Sequence, residues 1–182
     1  MKMKYSTLAM LCAGAWAGSL QLAAAQYDGG APGATPQPTP TGSPAIACEV
    51  ESRVAGLTGA AEVPPVDPSG TGAASFGIRN RSEISFSVVV TGLTSEIVGA
   101  HIHIGAPGVN GPVIFPLASE GFSNSISGVL TESDFTPAPE QGINTFQEAV
   151  NAVLEGNTYA NVHTTNNPNG EIRGQILQAE GQ

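Results

Sequence analysis

Lysine is almost missing from this chain, occurring at Lys2 and Lys4 and nowhere afterwards. The other bases are Arg53, Arg79, Arg81 and Arg173, against fifteen acidic residues, so no basic patch is available for a phosphate backbone or an anionic lipid surface. That balance disfavours nucleic acid and membrane surfaces as partners and favours cations. Cysteine is equally scarce, with only Cys12 and Cys48. Once a leader containing Cys12 is removed, the single remaining thiol forms no internal disulfide, and the fold must rest on its core. Cys48 is then either a near-terminal residue without a role or a bridge to another chain. Long apolar runs are missing after residue 25, so no later segment offers the roughly 20 apolar residues of a membrane helix. Also missing are a Gly-rich phosphate loop, a Gly-x-Ser-x-Gly elbow and an acidic cluster with calcium-loop spacing, which removes the commonest signatures of phosphoryl and acyl transfer.

What is present begins with an export signal. Lys2 and Lys4 precede an apolar run from Leu8 to Leu22 that ends in Ala23-Ala24-Ala25, a small-residue cleavage pattern. Residues 1–25 are expected to be removed, leaving a periplasmic or extracellular protein that starts near Gln26 and is not inserted in a membrane. Both lysines leave with the leader, so four arginines face all fifteen acids and the net charge moves from −9 to −11. Residues 26–47 are rich in Pro, Gly and Thr, including Thr35-Pro36-Gln37-Pro38-Thr39-Pro40; this composition cannot bury a core and reads as a disordered linker.

Residues 48–182 have the size of one domain and read mostly as strands. Short β-branched runs from Glu49 to Thr58, Thr71 to Arg79, Glu83 to Thr91, Ile97 to Ile104, Pro112 to Leu117, Ser123 to Leu130, Thr158 to Thr164 and Glu171 to Gln178 are separated by Gly, Pro, Asn and Asp. Many short strands with turn residues between them predict an all-β, antiparallel sandwich or barrel. One segment differs: Phe146, Val150, Val153 and Leu154 recur at helical spacing and Gly156 follows as a C-terminal cap, predicting one short helix against the sheet.

The three histidines all lie in strand-like alternation. His101 and His103 alternate with Ile102 and Ile104, and His163 follows Val162. Successive strand side chains point to opposite faces, so if the aliphatics enter the core the three imidazoles share the other face. Arg173 and Gln175 fall on that face by the same count. Neutral imidazoles suit copper, zinc or nickel, and three of them make a usable ligand set. The other reading is that the histidines hydrogen-bond loop backbone and fix the Gly105 to Gly111 connection, with Arg173 in a salt bridge.

Three motifs in sequence order carry a family resemblance: Val54 to Val66 with Ala60-Ala61-Glu62-Val63-Pro64-Pro65, Ala100-His101-Ile102-His103-Ile104-Gly105 with Pro107-Gly108 and Asn110-Gly111-Pro112-Val113, and Tyr159 to Thr164 followed by Gly170 to Ile176. Together they resemble the CHRD domain, named for chordin and found also in exported bacterial proteins. The resemblance implies an immunoglobulin-like Greek-key β-sandwich distantly similar to copper–zinc superoxide dismutases. It also implies an exported binding or interaction module without established catalysis, whose partner is another exported protein. Through the dismutase similarity it implies that His101, His103 and His163 match copper ligands, with zinc as the alternative, and that Arg173 lies behind the metal or faces an anion. The bridging histidine, the remaining zinc ligands and the disulfide of the dismutases have no counterpart here, which implies metal binding with weak turnover or none.

Overall fold

The structure, a computed structural model, describes residues 49–67 and 69–179. The expected leader, the linker, Cys48 and the last three residues of the chain lie outside them. The expected runs appear as strands Val50–Thr58 (β1), Thr71–Arg79 (β2), Glu83–Thr91 (β3), Ile97–Ile104 (β4), Val113–Ala118 (β5), Ser125–Leu130 (β6), Thr158–Thr164 (β7), Ile172–Gln175 (β8) and Leu177–Gln178 (β9), with one α-helix, Phe146–Leu154 (α1), before β7.

All pairings are antiparallel and join the strands into one sheet in the order β5-β4-β7-β8-β1-β2-β3-β6, with β9 pairing β1. The path bends until its ends, β5 and β6, lie against each other, giving a nearly closed, sandwich-like fold. Period-two alternation explains why. Leu57, Phe76, Ile78, Ile84, Phe86 and Val88 from β1 to β3 face Ala100, Ile102, Val162 and Ile172 from β4, β7 and β8, and all are buried in one core. Phe115 on β5 meets Phe146 of α1 edge to face at 5.8 Å, seating the helix on that core.

The helix starts where its sequence dictates. Thr145 accepts from the Glu148 amide while the Glu148 carboxylate reaches back to the Thr145 N–H, satisfying two orphan donors. At the other end Arg53 donates to the Leu154 carbonyl from two nitrogens at 2.9 and 3.2 Å, placing a cation where the helix dipole is negative.

The run from Glu171 to Gln178 departs from expectation by splitting into β8 and β9. Thr58 pairs Arg173 and Val54 pairs Leu177, so both pieces keep one register against β1. The split falls at Ile176, whose N–H donates to Thr158 O of β7, and within β8 a Cβ on Gly174 would collide with the Gly56 carbonyl.

Candidate metal centre

Register places the three histidines before any side-chain packing is considered. On the face of β4, β7 and β8 away from the core, His101 lies opposite Asn161 and Asn161 opposite Arg173. In the next row His103 is opposite Tyr159 and Tyr159 opposite Gln175, and Gly99 is opposite His163. Ile102 and Val162 are fully buried on the core side, as the alternation requires. Rotating either strand would bury imidazoles in the core and expose these aliphatics.

The three rings converge. One potential ligand atom from each of His101, His103 and His163 lies within 4.8 Å of the others. His101 Nδ1 is 2.9 Å from His163 Nε2, a spacing two nitrogens on one metal would adopt at about 2.0–2.1 Å each.

Backbone carbonyls set the tautomers. A carbonyl only accepts, so His103 Nδ1–H donates to Gly111 O at 2.8 Å and His163 Nδ1–H donates to Pro168 O at 3.0 Å. Both Nε2 atoms therefore carry lone pairs, and His101 Nδ1–H donates to the one on His163. Burial holds all three imidazoles below their ordinary range, His101 down to about 4 with help from the fields of His163 and His103. They are neutral at pH 7, as ligands must be. Imidazoles whose second nitrogen is fixed by a backbone carbonyl have the arrangement typical of metal ligands. The backbone hydrogen bonds of a purely structural role are thus made, but by the nitrogens a metal would not use.

Two expectations need correction. The histidine face was expected to point outward, yet His103 is only 9% exposed and His101 and His163 are half-buried. The connection between β4 and β5 folds back over this face: Asn110 donates to Val63 O at 2.7 Å, and Gly111 is bonded to Tyr159 Oη and to His103. Arg173 was likewise expected to be outward and flanking; it is on the right face but 2% exposed. Its guanidinium lies 3.4 Å over the Tyr159 ring and donates to Asn110 Oδ1, Val109 O and Ala106 O. The residue clamps the loop, and no salt bridge holds it among the described residues. Gln175 does similar work, donating to Gly105 O and Gly156 O.

Four residues of the site were missed in the sequence. Tyr159 stacks on His103 at 4.9 Å, with 7° between the ring planes. Asn161 and Glu62 are 3% and 6% exposed and adjoin each other, and Asn110 ties the covering loop down. Burial pushes the Glu62 carboxyl up to about 7, against the opposing pull of Arg173 and of hydrogen bonds from Asn161 and Val63. The alternation that placed His163 also places Tyr159 and Asn161 on its face. Glu62 had no such signal, because it reaches the site from a loop.

A family model described as CHRD domain matches residues 53–176, which span every element from β1 to β8 and all the residues named above. No curated protein and no solved structure matches the chain significantly.

Proposed function

From a chain that belongs to the CHRD domain family across residues 53–176, we propose an exported binding module whose ligand is a transition-metal ion, copper by preference, held by His101, His103 and His163. The observation that carries this reading is the convergence of three neutral imidazoles with their second nitrogens fixed on Gly111 O, Pro168 O and each other. Copper is preferred to zinc because an all-imidazole set binds copper(II) more tightly in the usual affinity order. The distant dismutase resemblance, which touches only the copper ligands, points the same way. The Lys2, Lys4 and Leu8 to Ala25 pattern supports export.

The His101 Nδ1 proton lies between the two nitrogens where a metal would sit; were a metal held there, that proton would shift to His101 Nε2, leaving the ring neutral and Nδ1 and His163 Nε2 both able to ligate. The module binds rather than turns over, because Arg173, which the resemblance would aim at an anion, gives its guanidinium to the loop. A protein partner, the other ligand class the chordin resemblance implies, would use the outer face of β1 to β3, where Val54, Ser75 and Ser87 lie in one register row and the Arg79–Glu83 ion pair marks one end.

The test is a copper(II) titration of the mature protein beside a His101→Ala, His103→Ala double variant, with circular dichroism to show that both are folded. Tight one-to-one binding is expected in the first and its loss in the second. Equal affinity in the two would remove the metal reading.

A further inference from the structure

Four buried side-chain polar atoms lack a hydrogen-bond partner among the described residues: Thr158 Oγ1 and three that lie at the imidazole site. His103 Nε2, Asn161 Oδ1 and Glu62 Oε1 are each without a hydrogen-bond partner and shielded from solvent. A buried polar atom left unpaired is destabilising, so such atoms at one place indicate a missing group. Nδ1 of His103 already holds the hydrogen donated to Gly111 O, so Nε2 of that ring presents its lone pair. What faces His103 Nε2 and Asn161 Oδ1 must therefore be positive or a donor.

Resting on the metal reading above, we propose that Asn161 Oδ1 is a fourth, oxygen contact to the cation held by His101, His103 and His163, and that Glu62 fixes the amide so that this oxygen is the atom presented. The placement follows from the sheet. Asn161 is two residues before His163 on the same face of β7 and directly across from His101. An amide can present either its oxygen or its NH2 to a neighbour, and the neighbour on its far side decides which. That neighbour is the Glu62 carboxyl, an acceptor placed beside Asn161 Nδ2, which leaves Oδ1 for the imidazoles. Gly170 makes the arrangement sterically possible: at φ +124° it lies where a Cβ would stand 2.5 Å from Glu62 Oε1 and 2.8 Å from Asn161 Nδ2. A side chain there would separate the pair.

The amide oxygen adds a hard donor to three borderline ones without adding charge, and it closes the side of the site that would otherwise admit water. Two variants of the whole mature protein test this, Asn161→Leu and the isosteric Glu62→Gln, whose new amide NH2 can pair with Asn161 Oδ1 and turn the Asn161 amide round. Each is titrated with copper(II), and the electron paramagnetic resonance of the loaded protein is recorded in ordinary and in ¹⁷O-enriched water. Asn161→Leu is expected to bind copper about ten-fold more weakly, with Glu62→Gln shifted in the same direction by less, and ¹⁷O broadening is expected to be greater in both than in the wild type. Broadening equal to the wild type in both variants, whatever the affinities, overturns the proposal, since a purely structural Asn161 would lower affinity without admitting water to the metal. If the wild type holds copper and the histidine double variant does not, that outcome defeats the fourth contact alone. A wild type that binds no copper defeats both readings.

Discussion

At the scale of single residues, the site is made of groups that folding keeps from their ordinary protonation, which makes pH a direct probe. The folded domain resists protonating its histidines, His101 down to about 4, whereas in the unfolded chain they take protons near about 6.5. Between those values the unfolded chain binds more protons, so the metal-free domain is expected to lose stability as pH falls from about 6.5 toward 4. Glu62 acts with the opposite sign. Its carboxyl, raised to about 7, keeps its proton longer when folded, so its contribution shrinks as pH rises through that range. Three histidines outweigh one carboxyl, and Glu62→Gln is expected to steepen the loss in acid. Melting temperatures at pH 4.5, 6.5 and 8 check this; a wild-type domain that melts higher at pH 4.5 than at 6.5 contradicts it. The histidines themselves were legible in the sequence because each alternates with an aliphatic residue. The roles of Arg173 and Glu62 were not, since alternation assigns a face but cannot say that a loop from elsewhere will cover it.

At the scale of elements, a second buried carboxylate shows how the loops around the site are held. Glu171 is fully buried and accepts from Gly70 N, Thr94 N, Thr94 Oγ1, Thr164 Oγ1 and Asn167 Nδ2. Burial would push this carboxyl up, but these hydrogen bonds outweigh it and hold it at about 2. The network joins the start of β2, the turn after β3 and the hairpin between β7 and β8, the hairpin whose Pro168 carbonyl orients His163. Glu171→Gln exchanges one acceptor oxygen for a donor facing other donors and is expected to cost about 3 kcal/mol in urea unfolding. A cost below about 1 kcal/mol would show that the network is not what fixes these turns. Most elements could be read directly from the sequence: β2, β3, β4, β7 and α1 occupy the expected residues, although β4 carries register shifts against both its neighbours. Differences occur where pairing with a neighbour overrides the local pattern: the run after Glu171 divides at Ile176, whose N–H goes to Thr158 O of β7.

At the scale of the whole molecule, segments far apart in sequence must meet before the site exists: the loop with Glu62, the β4 strand and its following loop, and the β7–β8 hairpin. No local window contains that information, although the three family motifs mark these same segments. Export as proposed predicts a mature chain that begins near Gln26; N-terminal mass spectrometry of protein recovered outside the cytoplasm checks this, and a retained Met1 would contradict it. On that proposal both lysines leave and the chain would carry −11, a charge that attracts cations and repels polyanions. The central claim, that this fold brings three distant imidazoles onto one metal ion, is tested most directly by anomalous diffraction at the copper edge from crystals of the copper-loaded mature protein. One peak is expected at about 2.0–2.1 Å from a nitrogen of each of His101, His103 and His163; copper found elsewhere, or no peak at the histidines, would contradict it.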